Sequence, residues 1–191
     1  MINPWLLIPA SDYEAHMTLP EVAQAQAIAE VFASALSEYA PASLAVFGCT
    51  TGNGFNHIDT LQTRRVVGVD INPEYLTILK NRFGAIIPGL QTIEADFTIS
   101  DFRIEPVSMV FAGLVFEYVS ICDALLCIER CMVPGAILVA ILQLPFIDPQ
   151  LEQRELWDHV CNLRAMCKGR DEGQIRPTLH PRYVGCDISS V

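Results

Sequence analysis

The stretch SLAVFGCTTGNGFNHIDTL, Ser43 to Leu61, decides how the rest of the chain is read. Leu44, Ala45, Val46 and Phe47 follow one another without polar alternation, the pattern of a parallel strand buried on both faces. Gly48, Gly52 and Gly54 then allow a sharp turn that a ligand can approach without meeting a Cβ. The reading expects a helix to start after the turn, with its free N–H groups aimed at whatever lies above.

The second half of the signal lies 22 residues beyond Gly48. Arg65 to Val69 (RVVGV) reads as another buried strand that ends at Asp70, where a carboxylate can accept from two ribose hydroxyls. Asn72, Pro73 and Glu74 form a helix start: an N-cap, a proline at the first helical position, and an acid beside the positive end of the dipole. A dinucleotide fingerprint beginning at Gly48 needs glycine at 50 and 53, where this chain has Thr50 and Asn53.

The turn resembles motif I of the class I S-adenosylmethionine-dependent methyltransferases, with Val46 where that family usually has an acid and Thr50 in place of the middle glycine. Further segments match in the family's order. Ala95-Asp96-Phe97 resembles the adenine motif, residues 106–119 (PVSMVFAGLVFEYV) the fourth strand and the loop facing the methyl group, and residues 132–144 (MVPGAILVAILQL) the proline-glycine turn and fifth strand. The resemblance covers roughly residues 43–145. It implies a three-layer αβα sandwich with a mostly parallel, Rossmann-like sheet, and S-adenosylmethionine as cofactor. Tyr13, Phe47, Gly48, Cys49, Gly52, Asp70, Ile71, Asp96, Phe97 and Ala112 are the cofactor-binding residues it implies. Asp70 would hold the ribose, Ile71 would pack on adenine, Asp96 would accept from the exocyclic amine, and the Phe97 backbone would meet the ring edge.

With 191 residues, 51% of them hydrophobic, the chain suits one domain with a full core. The longest apolar run, Ala136 to Leu142, is far short of the roughly 20 residues that span a bilayer, and no basic segment precedes an apolar run at the N-terminus. A cytoplasmic protein without membrane partners is the expectation, and seven cysteines outside any small secreted framework agree with it. Of the net charge of −10, residues 1–150 carry all the excess, with 6 Lys+Arg against 16 Asp+Glu. Such a body repels a phosphate backbone, so nucleic acid is disfavoured as a partner and a small-molecule substrate is favoured.

Residues 1–17 read as an irregular segment, either a lid over the cofactor with Tyr13 reaching inward or an apolar plug at a sheet edge. Thr18 to Glu21 has the form of a capping box for a helix running to about Ser37, with Val22, Ile28, Phe32 and Leu36 on its buried face. Residues 18–150 form the expected cofactor-binding core. Cys127 and Cys131 lie four apart on a helix, but no further ligands stand at finger-like spacing, so they read as small buried hydrophobes and no metal is expected. Residues 151–191 read as an atypical helix, which starts near Asp148 and runs to about Lys168, and a polar tail. With Pro177 and Pro181 the tail leaves room for one strand near Arg182 to Ile188. The C-terminal hairpin of the family's sheet is therefore expected to be missing or rebuilt, leaving an edge that a homodimer partner could cover.

Methyl transfer from a sulfonium is an in-line displacement in which alignment and exclusion of water dominate. Glu117 and Tyr118, directly after the fourth strand, are the candidate catalytic residues: Glu117 as a base or an amine-binding group, Tyr118 as a wall of the methyl path. Two other readings stand beside the enzyme: a non-catalytic S-adenosylmethionine- or nucleotide-binding protein of the same fold, and an NAD-type oxidoreductase, which the glycine spacing opposes.

Overall fold

The computed structural model describes residues 3–143, 175–180 and 183–189. Its elements are α1 (Ala10–Thr18), α2 (Gln24–Tyr39), β1 (Ser43–Phe47), β2 (Arg65–Asp70), α3 (Pro73–Phe83), β3 (Leu90–Glu94), β4 (Val107–Gly113), α4 (Ile121–Arg130), β5 (Met132–Gln143), β6 (Ile175–His180) and β7 (Tyr183–Ser189). The strands form one seven-stranded sheet in the order β3-β2-β1-β4-β5-β7-β6. β1 to β5 run parallel and β7 is antiparallel to both its neighbours.

β1 shows why the sheet is buried on both sides. Leu44 and Val46 join a cluster with Ile28 and Phe32 of α2 and Leu76 and Leu79 of α3. Ala45 and Phe47 point the other way, into a cluster with Ala124 and Ile128 of α4. Successive side chains leave a strand on opposite faces, so an unbroken apolar run is what two covered faces require. Phe32, 1% exposed, anchors the first face with its ring edge-to-face on Phe111 at 4.7 Å.

The helix expected after the glycine turn does not form. Residues 55–57 make a single 3-10 turn, and Gly52 and Gly54 before it lie at φ 93° and 82°, in the left-handed region that an α-helix cannot contain. Phe55 fills the space instead, stacked on Phe32 at 6.1 Å, and the Asn53 amide donates to the Ala25 carbonyl at 2.8 Å. Gly52 is needed for packing as well as for its backbone angle. A Cβ there would lie 2.5 Å from Leu79 Cδ1 and 2.7 Å from Phe83 Cε2.

Three further expectations change. Residues 10–18 are helical rather than irregular, and Thr18 ends α1 instead of capping the next helix. Its hydroxyl turns back to the carbonyls of Glu14 and Ala15, and α2 begins only at Gln24. A helix-end hydroxyl that finds an acceptor four residues back has no need to cap forward. Ile28 and Phe32 are buried in α2 as its period predicts, whereas Val22 lies in the preceding turn.

The C-terminal hairpin, expected to be missing or rebuilt, is present. β7 pairs with β5 from Ile137 to Gln143, and β6 pairs with β7 along its whole length. Pro177 is accommodated because β6 is an edge strand, where a missing N–H need not break a ladder. The helix expected between about Asp148 and Lys168 lies outside the described residues. No helix among the described residues is long and apolar enough to cross a membrane.

The two kinds of glycine separate in a substitution test. Gly52→Ala combines left-handed strain with overlap on Leu79 and Phe83, so unfolding in urea should show a loss of about 2 to 5 kcal/mol. Gly135→Ala, at φ 77° with nothing within 4 Å of the new Cβ, should cost about 1 to 2 kcal/mol. Equal losses would contradict the packing role assigned to Gly52.

Candidate active site

A cavity of about 310 Å³ opens at the carboxyl ends of the parallel strands. Each strand delivers the residues that follow it: Gly48 and Thr50 after β1, Asp70 and Ile71 at the end of β2, Asp96 and Phe97 after β3, Glu117 and Tyr118 after β4. This is the crevice in which open α/β sheets bind ligands, on either side of the strand where the order reverses.

Asp70 is the organising residue. Its Oδ2 accepts from the Thr50 N–H at 2.9 Å and its Oδ1 from the Asn72 N–H at 2.9 Å. The carboxylate is 8% exposed, and burial pushes its pKa up against those backbone donors. Asn72 continues the chain of bonds. Its Oδ1 caps α3 by accepting from Glu74 and Tyr75, as the sequence predicts, while its Nδ2 donates to the Trp5 carbonyl at 2.9 Å.

That second bond fastens the N-terminal segment over the cavity. The Tyr75 hydroxyl donates to the Ile8 carbonyl at 2.9 Å. The Glu14 carboxylate takes both terminal nitrogens of Arg82, one at 3.1 Å, together with the Thr51 hydroxyl. Trp5 reaches across to Tyr118, edge-to-face with centroids 4.7 Å apart, and Tyr13 packs near Tyr75 at 5.6 Å. Trp5 lines the cavity rather than plugging a sheet edge. Tyr13 lines the cavity; burial, with the Asp70 charge adding to it, raises its pKa.

Eight of the residues proposed from sequence meet at this cavity: Tyr13, Gly48, Asp70, Ile71, Asp96, Phe97, Glu117 and Tyr118. Phe47, Cys49, Gly52 and Ala112 are not among its lining. Phe47 and Ala112 belong to the α4 face, where Phe47 stacks on Phe97 at 4.8 Å, Cys49 packs with the α2 and α3 cluster, and Gly52 abuts α3. Adjacency to a motif along a strand does not select the face on which a side chain emerges. Asp96 is an exposed carboxylate whose Oδ1 accepts from the Thr98 N–H at 2.9 Å and from its hydroxyl.

Glu117 sits where β4 and β5 end, its Oε1 accepting from the Gln143 N–H at 2.6 Å. The residue as a whole is exposed, but partial loss of solvent around its carboxyl raises its pKa against that bond. The roles of Trp5, Asn72, Tyr75 and Gln143 were not legible in the sequence, because each depends on a partner tens of residues away. Only the helix-cap pattern singled out Asn72, and it accounts for the two bonds that its Oδ1 accepts but not for the one that its Nδ2 donates to Trp5.

A family model described as a methyltransferase domain matches residues 45–140. Among solved structures, a Methanococcus maripaludis protein assigned as an S-adenosyl-L-methionine-dependent methyltransferase superposes with a TM-score of 0.68 at 9% identity, over 95% of this chain and 93% of that one. The N-methyltransferase NodS of Bradyrhizobium japonicum, solved with S-adenosyl-L-homocysteine, gives 0.65 at 12% identity, over 87% of each chain. An Aquifex aeolicus SAM-dependent methyltransferase gives 0.62 at 14%, over 86% of this chain and 89% of that one. No curated protein sequence matches. The fold and site define a Rossmann-like α/β protein with its ligand crevice at the sheet's carboxyl edge. The chain belongs to the methyltransferase-domain family, of class I architecture, whose cofactor is S-adenosylmethionine.

The carboxylates differ in how they couple to stability. The Arg82 guanidinium holds Glu14 below its ordinary range, so its ionised form stabilises the fold above that range and the contribution disappears as pH falls through the folded value. Asp70, held above its ordinary range by burial, and Glu117, raised by partial desolvation, act with the opposite sign: ionisation disfavours the fold, and the penalty lifts as pH falls through their folded values. A carboxyl-detected NMR titration should place Glu14 below Glu117, and the reverse order would contradict the geometry. Both Glu14 and Arg82 are partly exposed, so Glu14→Gln should cost at most about 1 kcal/mol globally while hydrogen exchange in residues 10–18 speeds up.

Proposed function

We propose that this protein is an S-adenosylmethionine-dependent methyltransferase acting on a small molecule, with the cofactor held by Gly48, Asp70, Ile71, Asp96 and Phe97. The observation that carries this reading is the Asp70 carboxylate, fixed at the cavity wall by the Thr50 and Asn72 N–H groups. Each ionised oxygen keeps acceptor capacity beyond its one backbone donor, which suits a pair of vicinal hydroxyls. Ile71 offers an apolar edge beside it, and Asp96 with the backbone at Phe97 a polar rim for a purine. Gly48 is needed bare, because at φ 70° its Cβ would come within 3.0 Å of Val115 Cγ2. The carboxylates lining the cavity suit a cofactor that carries positive charge.

S-Adenosylmethionine, when bound, supplies an electrophilic methyl carbon. The chain's own part is to hold the acceptor in line, exclude water and manage one proton. Trp5 and Tyr118 cover the mouth, and Glu117, at the ends of β4 and β5, is the group placed to take a proton. Its raised pKa brings it closer to the working range of a general base.

Calorimetry with S-adenosylhomocysteine tests the reading. The wild-type protein should bind, Asp96→Ala should lose about tenfold in affinity while melting normally, and Asp70→Ala should abolish binding. Glu117→Gln should keep the binding and lose methyl transfer. A cooperatively folded wild-type protein that binds neither S-adenosylmethionine nor S-adenosylhomocysteine would refute the assignment, and NADH binding in their place would point to the oxidoreductase.

A further inference from the structure

The cavity's charge is one-sided. Its charged lining residues are Asp70, Asp96 and Glu117, and no Lys, Arg or His lines it among the described residues. Asp70 and Asp96 stand on the side assigned to the cofactor. Glu117 stands apart from them, beyond β4, with Oε1 committed to the Gln143 N–H and Oε2 taking no hydrogen bond from the described residues. Beside it the rings of Trp5 and Tyr118, both of which line the cavity, meet edge to face at 82°. An aromatic wall next to a carboxylate attracts an organic cation and gives nothing to an anion.

Resting on the reading of this cavity as a methyl-transfer site, we propose that the acceptor is a small aliphatic amine, received as an ammonium ion by Glu117 Oε2 and the aromatic wall that Trp5 and Tyr118 form beside it. The ammonium gives one proton to Glu117, and the nitrogen lone pair so freed forms the new N–C bond with the methyl carbon. The C–S bond breaks with its electron pair passing to sulfur, which leaves a methylated ammonium and a neutral thioether. Glu117 then returns its proton to solvent. An acceptor with a carboxylate or phosphate near the reacting atom would meet like charge from the described lining.

Three probes with one pentyl chain but different head groups test this: n-pentylamine, n-pentanol and n-hexanoate, titrated by saturation-transfer NMR into the full chain with and without S-adenosylhomocysteine. The amine should bind about tenfold tighter than the alcohol, and the hexanoate should give no signal. Glu117→Gln and Trp5→Leu should each weaken the amine about fivefold or more and leave S-adenosylhomocysteine affinity unchanged. Hexanoate or pentanol binding as tightly as the amine would overturn the proposal, as would a Glu117→Gln variant with unaltered amine affinity. If S-adenosylhomocysteine fails to bind while the amine preference persists, the methyl-transfer reading falls and the amine site stands. If it binds and no amine preference appears, the amine proposal alone falls.

Discussion

The site depends on one buried carboxylate. Asp70 joins the turn after β1 to the start of α3 through two backbone N–H groups, and Asn72 carries the same network on to Trp5. A buried charge without partners would be costly, and the raised pKa of Asp70 records what remains of that cost after the two bonds are made. Because both donors are main-chain groups, the carboxylate is fixed by the fold itself and, among the described residues, by no other side chain. Such preorganisation lets a binding group act without first having to be ordered.

Around that point the chain uses less structure than its architecture suggests. The segment between β1 and β2 holds only a 3-10 turn, and the volume is filled by Phe55 against Phe32 and Phe83. The glycines that open this turn divide the work: Gly48 keeps clear of Val115 beside the cavity, whereas Gly52 lets the turn press onto α3. The N-terminal segment closes the opposite wall and is held from three directions: by Asn72, by Tyr75, and by the Glu14 carboxylate with Arg82 and Thr51. These anchors lie on or beside α3, so the helix that Asp70 positions also positions the cover.

Several elements are legible in the sequence alone. β4 lies within the segment read as the fourth strand and its loop, α3 starts at Pro73 with Asn72 as its cap, and the unbroken apolar runs of β1 and β2 lie between two covered faces. Local chemistry governs each of these: a cap acts within three residues and a buried strand is apolar throughout. The misreadings arose where a local pattern had two outcomes. Thr18 can cap forward or bond backward, glycines after a strand can open a helix or forbid one, and Pro177 breaks a central strand but not an edge strand.

The sequence by itself determined the order of the parallel strands' motifs, the acid at the end of β2 and the family to which they point, because spacing and hydropathy along the chain carry that information. Tertiary structure alone decided which of the motif residues face the cavity. Phe47 and Ala112 turn into the α4 face and Gly52 onto α3, while Trp5, Tyr75 and Gln143 converge on the site from remote positions. The physical reason is that a strand's two faces and a helix's register relative to the sheet are set by which elements cover them. That choice is made by packing between segments far apart in the chain, where no local signal reaches.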